Sequence, residues 1–153
     1  MKLKEGDKAP EINAIDQKGE AVSLAGLRGS RVILYFYPKD NTPGCNAEAC
    51  NLRDNYDALR EKGFVVVGVS ADSAASHKKF VSKFDLPFAL IPDTEKKVIE
   101  DYGAWGPKKF MGRSYEGILR TTFVIDEEGV IAKIITKVKT KDHTAQILEE
   151  LGM

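Results

Sequence analysis

The run RVILYFYP at residues 31–38 constrains the fold more than any other stretch, because nearly every position in it is apolar, β-branched or aromatic. A strand with one face in water alternates; a run without alternation is a strand covered on both faces, inside a sheet flanked by other layers. FVVVGVSA at residues 64–71 has the same character. Between the two, from Thr42 onward, NAEACNLRDNYDALREKG is polar and helix-prone, with Leu52, Tyr56 and Leu59 at helical spacing and Gly63 placed to end it. Two buried strands joined through a helix predict parallel neighbours, with the first of them central.

The remaining chain continues the alternation. SAASHKKFVSKF predicts a helix, PFALIPD a short strand and EKKVIEDYG a helix ending at Gly103. GAWGPKKFMGRSYEG reads as a Gly/Pro-rich loop. ILRTTFVID and VIAKIITKV, separated by Glu127-Glu128-Gly129, form a hairpin signal, and KDHTAQILEELG reads as a closing helix. Upstream, INAIDQKGEAVSL suggests an accessory hairpin turning at Lys18-Gly19. The architecture this order predicts is a three-layer α/β sandwich: a central mixed sheet, parallel where helices cross over and antiparallel in the late hairpin, with helices on both faces. At 153 residues and 42% hydrophobic, one domain over residues 1–153 with a sizeable core is expected. Lys+Arg and Asp+Glu both number 23, so the chain as a whole has no electrostatic pull toward nucleic acid or an anionic membrane. Residues 1–7 lack the apolar core of a secretory signal and no run approaches a membrane span, so a cytoplasmic location is expected. In that reducing compartment two cysteines point to transient chemistry rather than a permanent staple.

Both cysteines stand in PKDNTPGCNAEAC, residues 38–50, where the chain leaves the carboxyl end of the central strand, the place where open α/β sheets build sites. Thr42 is a good N-cap, Pro43 suits the first helical position and Gly44 adds no side chain, which puts Cys45 about three residues into a helix. A thiol there lies near unpaired backbone N–H groups and the positive end of the helix dipole, an environment that favours thiolate. The alternative, an inert core cysteine, is argued against by the Thr-Pro-Gly start. Cys50, five residues on, would lie ~8–9 Å from Cys45 between Cα atoms of a regular helix, whereas a disulfide needs less than about 7 Å. Either the helix unwinds to let the pair bond, or Cys50 only packs. Glu48 falls one turn after Cys45, where an unpaired carboxylate would oppose a thiolate, so it is expected to orient an arginine or a water. His77 and His143 show no metal-ligand spacing to the cysteines; no metal is expected, and both histidines read as surface helix residues without a role.

FYPKDNTPGCNAEAC resembles the active-site signature of the peroxiredoxins, specifically the bacterioferritin comigratory protein or PrxQ subfamily, whose Pro-x-x-x-Thr-x-x-Cys pattern is matched by Pro38, Thr42 and Cys45. GDKAPEI, VVVGVSADSAASHKKF, LPFALIPD and GILRTTFVID resemble further landmarks of that subfamily along nearly the whole chain. Asn46 departs from it, standing where threonine is common. The resemblance implies that the sandwich is thioredoxin-like and that the protein is a thiol-dependent peroxidase of hydrogen peroxide and organic hydroperoxides. It implies that Cys45 attacks the peroxide and becomes a sulfenic acid. Pro38 would shield the thiolate, Thr42 would hydrogen-bond substrate, and Arg120 would stabilise thiolate and the polarising O–O bond, with Glu48 counted among the substrate-site residues. Cys50 would resolve the sulfenic acid as a Cys45–Cys50 redox disulfide, through opening of a first helical turn expected to be little packed. A thioredoxin-type dithiol reductant, no cofactor, a monomeric state and no nucleic-acid or membrane partner complete the implied picture. Trp105 and Phe110 would either line the peroxide entrance or pack, while Tyr35, Phe36 and Tyr37 belong to the core. Two other function classes compete with this reading: a thiol–disulfide oxidoreductase, whose Cys-x-x-Cys motif is missing, and a redox-regulated holdase or peroxide-sensing interaction protein.

Overall fold

A computed structural model describes residues 3–153, with the side chain of Phe110 outside what is described. An antiparallel hairpin of β1 (Asn13–Ile15) and β2 (Ala21–Ser23) comes first, its turn held by Asp16, whose Oδ1 accepts from the N–H groups of Lys18 and Glu20 at 2.8 and 3.0 Å. The rest follows as β3 (Arg31–Phe36), α1 (Pro43–Asp54), α2 (Tyr56–Glu61), β4 (Phe64–Ser70), α3 (Ala74–Phe84), β5 (Ala89–Pro92), α4 (Lys97–Asp101), β6 (Trp105–Phe110), β7 (Arg113–Ile118), β8 (Thr121–Ile125), β9 (Ile131–Ile135) and α5 (His143–Glu150). A sheet in the order β5-β4-β3-β8-β9 forms the centre. β3 runs parallel to β4, β4 parallel to β5, and β3 and β9 each antiparallel to β8.

The apolar run of β3 is explained by the two layers that cover it. Val32, Leu34 and Phe36 face a cluster completed by Val98, Ile99 and Tyr102 from α4 and its end, Phe123, and Ala9, Ile12 and Leu24 from the N-terminal segment. Ile33, Tyr35 and Tyr37 face the other way, against Cys45, Ala49 and Leu52 of α1, Leu59 of α2, Phe80 of α3 and Ile147 of α5. Burying side chains of this size contributes roughly 1.5–3 kcal/mol each. The helices are therefore unequally shared: α1, α2, α3 and α5 lie on one face, and α4 shares the other with the N-terminal segment. Gly68 has a specific duty in this packing, since a Cβ there would stand 2.7 Å from Leu90 and 2.9 Å from the Tyr35 ring.

Two expectations are corrected. The helix predicted after Thr42 is broken into α1 and α2 at Asn55 (φ −107°, ψ 11°), whose side-chain amide donates to the Asn51 carbonyl at 2.8 Å and competes with the helical ladder. Residues 103–117 are not a loop but carry the hairpin β6–β7, paired from Trp105–Ile118 to Phe110–Arg113. Met111 (φ 50°) and Gly112 (φ 79°) make its two-residue turn. A proline is tolerated at position 107 because this ribbon has only two strands and one edge of each is free. No described helix is long and apolar enough to cross a membrane.

Candidate active site

Beyond β3 the chain is pinned by a buried polar cluster. Asp40 receives the Tyr37 hydroxyl on Oδ1 (2.6 Å) and the Ser76 hydroxyl on Oδ2 (2.8 Å), with His77 Nδ1 2.7 Å from the same Oδ2. Its own N–H donates to Asp72 Oδ2, which also takes the Ser70 hydroxyl. Burial works to raise the Asp40 carboxyl, but hydrogen bonds from His77, Tyr37 and Ser76 outweigh it and hold the group below the usual carboxylate range. Asp40, Asp72 and His77 are also the only metal-ligating cluster among the described residues, and all three are engaged in these hydrogen bonds.

Asn41 then turns through a left-handed conformation (φ 57°), and Thr42, in extended conformation, starts α1 by accepting the Asn46 N–H on its carbonyl at 2.8 Å. Thr42 thus holds the N-cap position, but its hydroxyl does not cap: it donates to the Lys39 carbonyl at 3.0 Å. Pro43 and Gly44 follow, and Cys45 comes third, as the spacing predicts. Its side chain is 1% exposed.

Arg120, in the short connection between β7 and β8, reaches this thiol. One arm of its guanidinium, Nη2, donates to Cys45 Sγ at 3.3 Å, while Nη1 donates to Glu48 Oε1 at 2.7 Å. Gly44 makes the approach possible, since a Cβ there would lie 3.2 Å from Nη2. Burial alone would lower the Arg120 pKa, but Cys45 and Glu48 more than offset it and the net direction is upward. Glu48 is fully buried, and burial pushes its carboxyl up to about 7 against the pull of Arg120. Its Oε2 has no hydrogen-bond partner among the described residues and lies 3.5 Å from His143 Nε2. Pro38, Lys108, Leu119, Arg120, Thr121 and Thr136 line a depression of about 360 Å³ at this place. Lys108 donates to the Ile118 carbonyl at 2.9 Å, its pKa lowered first by burial and then by Arg120.

Cys50 lies in the same unbroken helix, partly exposed, and both cysteines are free. The expectation of a loosely packed first turn is overturned: Cys45, Glu48, Ala49 and Leu52 are all buried. Asn51 fastens the helix further, donating from Nδ2 to the Lys141 carbonyl at 3.2 Å and accepting the Thr144 N–H on Oδ1 at 2.8 Å. The reading of both histidines as surface residues is also wrong, since His77 and His143 are fully buried. A signal existed: His77 shares a helical stripe with Phe80, Val81 and Phe84, and His143 one with Ile147 and Leu151. Trp105 packs beside the α4 cluster with Lys96 Nζ 4.6 Å above its ring, while the Phe110 expectation lies outside the described side chains.

The AhpC/TSA family model matches residues 5–134. A putative peroxiredoxin Bcp of Coxiella burnetii is 47% identical over 151 residues, covering 99% of this chain and 100% of its own. The peroxiredoxin Bcp of Bacillus subtilis is 46% identical over 151 residues, covering 99% and 96%. Among solved structures, the Xanthomonas campestris bacterioferritin comigratory protein, described with its alkyl peroxide reduction activity and trapped intermediates, superposes with a TM-score of 0.85 at 29% identity over 92% of this chain and 89% of its own. The family match over residues 5–134 and the 46–47% identity to Bcp peroxiredoxins over nearly their whole length make this chain, with its buried helical thiol under an arginine, a member of the AhpC/TSA family and, within it, of the Bcp/PrxQ peroxiredoxins.

Proposed function

We propose that the thiol-peroxidase activity of this peroxiredoxin runs through Cys45, and that residues 1–153 act as one catalytic unit. The observation that carries the reading is Arg120 bound at once to Cys45 Sγ and Glu48. The Cys45 thiolate attacks the terminal oxygen of a hydroperoxide; the S–O bond forms as the O–O bond breaks, the sulfur is oxidised to sulfenic acid, and the departing oxygen takes a proton to leave as water or alcohol. Arg120 meets the negative charge on sulfur and on the lengthening O–O bond, with Glu48 fixing its direction. The Thr42 hydroxyl gives its hydrogen to Lys39, so its oxygen presents lone pairs that suit the O–H of an incoming peroxide. Pro38 and Leu119 supply apolar wall, so these donors act where water is thin. Alkyl peroxide reduction by the Xanthomonas relative supports organic hydroperoxides, alongside hydrogen peroxide, as substrates.

Cys50 then attacks the Cys45 sulfur, forming the disulfide and releasing water. Residues 43–50 must leave the helix for this. A dithiol reductant of thioredoxin type reduces the disulfide by exchange. No step calls for nucleic acid, membrane or a second copy, so we assign a monomer working in the cytoplasm. Mass spectrometry after one equivalent of peroxide tests the cycle: an intramolecular Cys45–Cys50 bond is expected, Cys45→Ser leaves peroxide unconsumed, and Cys50→Ser stalls as a sulfenic acid. An intermolecular disulfide would move the resolving role elsewhere.

A further inference from the structure

The two glycines paired across the β6–β7 hairpin each clear the path of a residue at the peroxide depression. A Cβ on Gly117 would stand 3.1 Å from Lys108 Cδ, and one on Gly106 would stand 3.1 Å from Leu119 Cδ1. With no side chain at position 117, the Lys108 stem crosses the ribbon and its Nζ donates to the Ile118 carbonyl at 2.9 Å, which fixes the ammonium. Lys108 and Leu119 then line the same depression of about 360 Å³ as Pro38 and Arg120. An ammonium has three hydrogens, and the carbonyl takes one. Among the described residues no carboxylate forms an ion pair with Lys108. The charged groups that face it are Arg120, from the β7–β8 connection, and Cys45, from α1.

Peroxide reduction has one need that Arg120 does not meet. The thiolate attacks one oxygen in line with the O–O bond, so the other departs on the side away from sulfur, and for a thiol 1% exposed that side is the mouth of the site. Hydroxide and alkoxide leave badly, the conjugate acid of hydroxide having a pKa of about 15.7, so a proton supplied as the O–O bond breaks speeds the step. A guanidinium stabilises charge there but keeps its protons. The Thr42 hydroxyl has already given its hydrogen to the Lys39 carbonyl. We propose that Lys108 is a catalytic residue of this site, the general acid that hands a proton from its ammonium to the departing oxygen. The S–O bond forms as the O–O bond breaks, the sulfur is oxidised to sulfenic acid, and the electron pair of the O–O bond goes to the departing oxygen. That oxygen takes the proton from Nζ and leaves as water or alcohol, and the neutral amine recovers a proton from solvent. Burial first and Arg120 second lower the Lys108 pKa, which makes its ammonium a stronger acid than a free lysine.

This role rests on the reading of Cys45 as the attacking thiol, and the choice of oxidant separates the two. The measurement is the second-order rate constant of the reduced protein at neutral pH with hydrogen peroxide and with peroxyacetic acid, whose departing carboxylate has a conjugate-acid pKa of about 4–5 and needs no proton. Lys108→Met keeps a stem over Gly117 and should lose about 10²-fold with hydrogen peroxide, the low end for general-acid catalysis, while its rate constant with peroxyacetic acid stays within about threefold of wild type. The retained rate with peroxyacetic acid is itself the control for folding. Lys108→Arg restores the charge without a transferable proton and should be as slow with hydrogen peroxide as Lys108→Met. Equal losses with both oxidants would reduce Lys108 to a structural or purely electrostatic part. Full recovery in Lys108→Arg would make charge alone sufficient, and an unchanged rate in Lys108→Met would take the residue out of the reaction; each of these overturns the assignment while leaving Cys45 in place. Cys45→Ser should consume neither oxidant, and a Cys45→Ser protein that consumed both at the wild-type rate would overturn the thiol reading and the role of Lys108 with it.

Discussion

Burial shifts Glu48 and His143 in opposite directions, so between about pH 4.5 and 6.5 folding is expected to move one proton from the imidazole to the carboxyl, and the pH dependence of stability tests that transfer. Glu48 rises from 4.5 in the unfolded chain to about 7, so the folded protein holds this proton more tightly; the stability it contributes is fully present below about 4.5 and is lost as pH rises through about 7. His143 falls from 6.5 to about 4, so its contribution is present above 6.5 and is lost as pH falls through about 4. Each interval, at about 1.4 kcal/mol per pH unit, amounts to about 3 kcal/mol. The two slopes have opposite sign and cancel between about 4.5 and 6.5. Removing one partner unmasks the other. Glu48→Gln should make stability, relative to wild type, climb by about 3 kcal/mol between about pH 4.5 and 7, and His143→Leu should make it fall by about 3 kcal/mol between about 4 and 6.5. Urea midpoints at a series of pH values, taken as variant minus wild type, remove every other titrating group common to both proteins. The constant offset left by the lost Thr122 and Gln146 hydrogen bonds in His143→Leu does not enter, since only the slope is read. Difference curves flat within about 1 kcal/mol for both variants would refute the reasoning, because no proton would then have moved on folding.

Arg120→Met should lower the rate constant with peroxide about 10²–10³-fold, the usual loss when one preorganised donor to a developing charge is removed, with folding retained by circular dichroism; an unchanged rate would exclude Arg120 from the reaction. Gly44→Ala sets a Cβ 3.2 Å from Arg120 Nη2 and should cut peroxide reactivity several-fold at little cost in stability. Gly68→Ala drives a methyl to 2.7 Å from Leu90 and 2.9 Å from the Tyr35 ring, and should cost about 1–3 kcal/mol in urea unfolding.

The sequence displays β3 and β4 plainly because burial on both faces leaves no alternation to misread. The hairpin β6–β7 was hidden by the same logic: Gly106, Pro107, Gly112 and Gly117 look like punctuation, and only pairing between two exposed strands makes Gly106 and Gly117 partners rather than breakers. Cys45 could be placed by counting from Thr42 and Pro43, since helix starts are local. A partner for Glu48, an arginine or a water, was legible as a need one turn after a thiol, but that the partner is Arg120 is decided by the fold. His143 was legible only as part of an apolar stripe; periodicity tells that α5 buries one face, not that this face meets α1 at Glu48.

The packing of α1 also changes how resolution must proceed. A loosely held first turn would open spontaneously and leave the disulfide step independent of the peroxide step. Here residues 43–50 can leave only if Cys45, Ala49 and the Glu48 carboxyl come out of the interior and Arg120 gives up both its partners together. In the proposed cycle, oxidation removes the charge on Sγ and adds an oxygen to a thiol that is 1% exposed, weakening the contact that both activates the sulfur and fastens the helix. In that cycle the proposed role of Arg120 in the first half-reaction would also delay the second until the first is complete, keeping Cys50 away from Cys45 while a reactive thiolate is needed.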